Sequence, residues 1–271
     1  MTLKTVLVRL GLMLLGIIVL VAILGAVQSF MLFVLHASDA VAGVVIIAVS
    51  LGVYVGWVRL VERREPAELA PRPAAREVML GLAIGIALFT ATIGSLAALG
   101  VYAFHGFGSW AGVGPAFMIV AGAAVLEELL FRGWLFRTVR DLWGTWIAVG
   151  VSALVFGLLH AFNPGATLVS TIAIALEAGV LLSVAYAATN RLWLPIGLHA
   201  GWNFAEGTIF GTTVSGHVSR AALLRGEFHG APWLTGGAFG PEASVAAVAV
   251  CLLAAAVFAT RVVRTSRFGL Q

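Results

Sequence analysis

Leu10-Gly-Leu-Met-Leu-Leu-Gly-Ile-Ile-Val-Leu-Val-Ala-Ile-Leu-Gly-Ala-Val-Gln-Ser-Phe-Met-Leu-Phe-Val-Leu35 runs without one charged side chain. It is longer than the roughly 20 apolar residues that carry a helix across a ~30 Å hydrocarbon layer. It also exceeds the roughly 7–15-residue core of a secretion signal. The stretch, entered through Lys4 and Arg9, therefore predicts a retained first transmembrane helix. Similar runs bounded by charges or turn residues predict further helices at 40–60, 76–104, 113–137, 145–161, 167–189, 192–211 and 243–263. The expected fold is an all-α bundle of about eight transmembrane helices, with residues 1–271 forming a single integral membrane domain. Composition agrees: 61% of residues are hydrophobic and only 10% charged, against about 25% charged in a soluble domain.

The basic residues decide how such a bundle is oriented, because Lys and Arg are retained on the cytoplasmic side. Alternate connections hold Lys4 and Arg9; Arg59, Arg63, Arg64, Arg72 and Arg76; Arg132, Arg137 and Arg140; Arg191; and Arg261, Arg264 and Arg267. These are fourteen of the sixteen, and only Arg220 and Arg225 fall in the other set. Both termini are expected in the cytoplasm of a multi-pass protein of the bacterial plasma membrane. The same clustering beside apolar runs accounts for the high pI of about 10.0 without a nucleic-acid partner; the bilayer is the partner. The charged, Pro-containing connection 61–75 reads as a solvated spacer, and the Gly-rich outer segment 212–242 as an interfacial loop anchored by Trp233 or as a lid. The single Cys251, in an apolar run, reads as a small packing residue.

Ionisable groups inside a span cost about 2.5–3.5 kcal/mol or more, so they face the bundle interior and have a use. In the fourth run Glu127-Glu128-Leu-Leu-Phe131-Arg132-Gly133 puts Glu128 and Arg132 four apart on one helix face, where they can pair. Glu127 is turned away by ~100° and remains free to move protons. Phe156 and His160 lie four apart in the fifth run. His199 and Asn203 do so in the seventh, with Glu206 seven beyond His199 on the same side. A plainer reading is a buried ion pair with interhelical hydrogen-bond glue. A carboxylate and an imidazole could instead activate a water, while a second imidazole and an amide donate to a developing oxyanion. The same Glu and His residues could bind a catalytic zinc, although no His-Glu-x-x-His helix is present. From the cytoplasmic edge the depths are ~10–19 Å for Glu127, ~10 Å for His199 and ~22 Å for His160 at 1.5 Å per residue. They converge only if the fifth helix is tilted or begins inside the membrane.

At these residues the chain resembles the CPBP family of membrane peptidases, named for CaaX proteases and bacteriocin-processing enzymes. Glu127-Glu128-x-x-x-Arg132, Phe156-x-x-x-His160 and His199-x-x-x-Asn203 match the three family motifs in order, within a core of about 113–211. The resemblance implies an intramembrane endopeptidase acting on a membrane-associated peptide or protein; eukaryotic relatives cut prenylated CaaX chains, bacterial relatives are linked to peptide maturation or self-immunity, and nothing in the sequence chooses among those substrates. It assigns Glu127 and His160 to the water, His199 and Asn203 to the oxyanion, and Glu128 and Arg132 to structural support. No cofactor is expected; were a divalent metal such as zinc used, its ligands would be Glu127, His160 and His199. The competing functions are a proton-coupled transporter, with Glu177 and Glu206 along its path, and a non-catalytic binder of membrane peptides.

Overall fold

The computed structural model describes residues 2–219 and 221–267; Arg220, expected on the outer side, lies outside the described residues. Eight helical rods follow one another: α1 (Leu3–Phe33), α2 (Asp39–Leu60), α3 (Ala74–Ala98), α4 (Val113–Trp143), α5 (Thr145–His160), α6 (Leu168–Thr189), α7 (Trp193–Phe204, continued by Ala205–Ile209) and α8 (Val245–Arg267). Six of them, all but α5 and α7, are long and apolar enough to cross a membrane. The chain is thus a mostly helical membrane protein, with two shorter helices among its six long ones.

Two antiparallel strands interrupt this pattern, β1 (Tyr102–Phe107) and β2 (Leu224–Phe228). The third apolar run was expected to stay helical to 104, but α3 ends at Ala98. Gly100 takes φ +71° there, and the amide of Val101 donates back to Leu96 O at 2.8 Å. A glycine in the left-handed region closes a helix without the steric penalty any side chain would meet. Beyond it the aromatic sequence Tyr102-Ala-Phe-His-Gly-Phe107 suits a pleated strand.

The contact between α3 and α7 positions the residues that matter most. Gly81 and Gly85 on α3 face Gly197 and Gly201 on α7, and a Cβ on any of the four would collide with backbone of the opposite helix. Small residues spaced by four let two backbones approach closely in a membrane, where packing rather than hydrophobicity drives association. His199 and Asn203 therefore sit on a helix held tightly against α3.

The connection 61–75 is not a solvated spacer. Glu68 is buried and accepts hydrogen bonds from Tyr54 and from Arg64, the latter at 2.6 Å, while Arg137 pairs with Glu62 at 2.7 Å. The Leu192 amide donates to Glu68 O and the Trp193 indole to Ala70 O, each at 2.9 Å. The linker thus caps the first turn of α7, whose exposed amides need acceptors. Burial alone would raise the Glu68 carboxyl, but the bonds from Arg64 and Tyr54 outweigh it and hold it below the usual carboxylate range. A lowered folded pKa contributes stability above the unfolded value of about 4.3, and that stability is lost as pH falls through the folded value. The gap in thermal midpoint between the wild type and Glu68→Gln is accordingly expected to be wide at pH 7 and to shrink below about pH 4. Fluorescence melts across that range measure it.

The two sets of connections separate to opposite ends of the bundle. Arg140 bonds Asn190, Arg9 lies 4.0 Å from Asp141, and linker 61–75 covers Leu192, so these connections share one end. At the other, Gly108 and Ser109 donate to Leu223 O and Ala222 O, and Gly216 packs on Pro164 O.

Candidate active site

The fourth, fifth and seventh helices bring the expected residues to one cleft. Glu127, His160, His199 and Asn203 all line a cavity of about 450 Å³, together with Phe131, Asn163 and the outer-segment residues Val214, Ser215 and His217. That volume is in the range of small-ligand pockets. The depth mismatch expected from sequence disappears for a structural reason. Helix α4 runs on to Trp143, so Glu127 lies about 24 Å from its end, close to the ~22 Å separating His160 from the start of α5. Helix α7 begins inside the protein, with Leu192 fully buried beneath the linker. No tilt of α5 is required.

Local backbone geometry serves the polar residues. Three helices widen to π-type turns: Leu129–Phe136 around Arg132, Ala175–Gly179 around Glu177 and Ala205–Ile209 around Glu206. Such turns occur frequently at functional sites. Glu128 and Arg132, both fully buried, pair at 2.8 Å. The guanidinium also donates to the carbonyls of Ala178 and Gly179 at 3.2 and 3.3 Å, and it stacks over Phe156.

Glu128 does more than pair with Arg132. Its Oε1 also accepts from His199 Nδ1 at 3.0 Å, which fixes that imidazole's orientation and puts a hydrogen on Nδ1. The other ring nitrogen, Nε2, then faces Glu127 at 3.8 Å. Glu127 Oε2 is buried and accepts no hydrogen bond from the protein. An unsatisfied buried carboxylate oxygen calls for a partner from solvent or substrate. His160 Nδ1 lies 2.8 Å from Phe156 O. Since a carbonyl can only accept, Nδ1 carries the hydrogen and Nε2 of the neutral ring keeps its lone pair. The Phe156 ring, 4.4 Å from that of His160 and 6.1 Å from that of His199, separates the two imidazoles from the core and packs edge-on against Phe131. Phe131, within the first motif, thus lines the cleft, and Phe156 of the second lines the small chamber behind it.

Glu127, His160 and His199 do not bring their ligand atoms together; among the described residues only His105, Glu227 and His229 do so, within 4.8 Å of one another. With His199 Nδ1 on Glu128 and His160 Nδ1 on Phe156 O, both Nε2 atoms stay open, an orientation shared by histidines that hold a water and by histidines that ligate a metal.

Ser215 and Glu242 were not picked out from the sequence, and both stand at the site. A small chamber of about 20 Å³, room for one water, lies behind the cleft between His160, His199 and Asn203 on one side and Glu177, Ser215 and Glu242 on the other. Glu242 accepts from the Ser215 amide at 2.6 Å, and its own amide donates to Glu206 Oε1. Glu206 also receives the Trp202 indole at 3.2 Å, and Glu177 the Cys251 thiol at 3.3 Å. Asn163 donates to Ser215 O at 3.0 Å. These bonds fasten the outer segment over the cleft, so Val214–His217 forms a wall of it. Glu242 could have been noticed as the one acid between the Gly-rich segment and the last apolar run; Ser215 could not.

A carboxylate, two oriented imidazoles and an amide thus line one cleft between the helices, a set of groups suited to hydrolysis. Residues 108–205 match the family described as type II CAAX prenyl endopeptidase, Rce1-like. This match falls on the stretch that carries the three motifs, whose resemblance was to CaaX proteases, and it points to an enzyme of the CAAX protease type. No curated protein and no solved structure gives a match.

Proposed function

We propose that the chain is an intramembrane endopeptidase that hydrolyses a membrane-associated, CaaX-like peptide with a water activated by Glu127 and His160. The single observation that supports this best is the unpartnered Glu127 Oε2 on the cleft that His160, His199 and Asn203 also line. In the proposed reaction the water oxygen bonds the scissile carbonyl carbon as Glu127 takes a proton, with His160 Nε2 as a second acceptor. The carbonyl oxygen becomes an oxyanion, received by the Asn203 amide and His199 Nε2–H. Donation from Nε2 requires His199 as imidazolium, since its Nδ1 hydrogen is held by Glu128. That form balances the local charge, because two carboxylates then face one guanidinium and one imidazolium. The carbon–nitrogen bond breaks as the captured proton passes to the leaving amine.

A carboxylate–imidazole pair can accept water's proton without a Lewis acid, and Asn203 is a poor zinc ligand. Peptidase activity is therefore expected to persist in strong chelator. Activity lost on chelation and restored by zinc would refute the water-activation scheme and recast Glu127, His160 and His199 as ligands.

We further propose that the end carrying linker 61–75 and both termini faces the cytoplasm, on the strength of the basic residues gathered there. Reporter fusions at Arg72 and His229 are expected to report opposite sides, with Arg72 inside. The same side for both would refute the topology.

A further inference from the structure

The two-stranded ribbon of β1 and β2, at the end of the bundle opposite linker 61–75, has a feature that the hydrolytic scheme does not use. The ladder pairs Ala103 with Glu227 and Phe104 with Gly226, then jumps to Gly106 with Arg225, which leaves His105 as the extra residue of a β-bulge. Bulges re-aim side chains, and here His105 Nε2 comes 3.5 Å from Glu227 Oε2. His229 follows directly on the end of β2, two residues beyond Glu227, and its Nε2 lies 4.0 Å from the same oxygen. The opposite face, with Tyr102 and Phe228 in ring contact at 5.1 Å, packs into the core.

We propose that His105, Glu227 and His229 form a binding site for a divalent first-row transition metal, with zinc as the best-suited ion. Ligand atoms around a tetrahedral zinc at ~2.0–2.1 Å stand about 3.3 Å apart. The observed 3.5 and 4.0 Å approach that spacing, so rotations of exposed side chains complete the shell. Two imidazoles and one carboxylate suit zinc, nickel or copper; calcium and magnesium, which prefer all-oxygen shells, fit poorly. The fourth position is open to water. Both strands are held by backbone: the His229 amide donates to Val101 O, and Gly106 takes φ +139° in the bulge.

The metal would clamp β2 to β1. Since β2 belongs to the segment whose Val214, Ser215 and His217 line the cleft, the clamp would steady the outer wall of the site without touching the reacting groups. The site is separate from the cleft and stands or falls apart from the peptidase reading.

Zinc titration of the full chain in detergent, with its purification tag removed, tests this. We expect one zinc per chain in the wild type and in His160→Ala/His199→Ala. The His105→Ala/His229→Ala variant should bind at least about tenfold more weakly. All three side chains are exposed, so this variant keeps the fold, and its peptidase activity should stay near that of the wild type. Glu227→Gln is expected to weaken zinc binding as well, and calcium to give no saturable binding at the same concentrations. No stoichiometric zinc in the wild type, or zinc binding that survives His105→Ala/His229→Ala, would overturn the site. Should the cleft variant fold poorly, Glu127→Gln replaces it, with the same expectation of retained zinc.

Discussion

Glu127→Gln is expected to fold in near-normal yield and to lose about 10²–10⁴-fold in the rate of peptide cleavage, the range associated with a general base. The two halves of that expectation have separate physical origins. Glu127 makes no hydrogen bond through Oε2 and keeps 28% of its side chain exposed to the cleft. Its one charged neighbour, His199 at 3.8 Å, can release its Nε2 proton when the carboxylate is removed, so no fixed buried charge is left orphaned. What disappears is the only carboxylate among the described residues that line the cleft. Comparison of purified yield, thermal midpoint and cleavage rate for the two proteins measures both halves. A comparable loss of yield would make Glu127 a structural residue.

Glu128→Gln is expected to behave in the opposite order, with a large loss of folded protein first. Its carboxylate is fully buried and shared between Arg132 and His199. Removing one member of such a group leaves Arg132 charged and unbalanced in the interior, a penalty of about 3–5 kcal/mol. Replacing both partners, Glu128→Gln with Arg132→Met, should restore much of the yield, because no uncompensated buried charge then remains. It should not restore activity, since His199 would have lost the acceptor that orients it. Expression with size-exclusion profiles, followed by cleavage assays on whatever folds, distinguishes the two effects. Full activity in the double variant would show that His199 needs no orientation by Glu128.

Which parts of this arrangement could be read from the sequence follows from the range of the interactions concerned. Apolar runs report helices directly, since each segment must satisfy its own backbone in lipid, and the rods fall close to the expected intervals. The i,i+4 spacings of Glu128–Arg132, Phe156–His160 and His199–Asn203 are local, so their shared faces were legible before any tertiary contact was known. The junction of Glu128 with His199 was not, because it depends on how α7 packs against α4. For the same reason Glu128 read as mere support for Arg132. The end of α3 at Ala98 was obscured because Tyr102–Phe107 is apolar enough to look like more helix, and its strand partner lies more than a hundred residues away. The linker 61–75 looked like a spacer because its charges suit solvent. Only the fold reveals that Arg64 and Glu68 fold inward beneath Leu192.

The match over residues 108–205 bears on the same stretch as the motifs. It leaves the amino-terminal helices and the outer segment to be understood from the structure. There, α3 fixes α7 through facing glycines, and the carboxylates of Glu206 and Glu242 tether the segment that walls the cleft. Glu177 and Glu206 thus have structural partners in Cys251 and Trp202, which reduces the need to assign them to an ion path.

The most direct measurement is mass spectrometry of a lipid-anchored peptide incubated with metal-stripped protein in liposomes. The proposed reaction predicts two fragments whose masses sum to that of the peptide plus one water, formed by the wild type and not by Glu127→Gln. Peptide recovered intact from vesicles containing folded wild-type protein would contradict it. If the same vesicles bound the peptide, the chain would be a non-catalytic binder; if they passed protons instead, it would be a transporter.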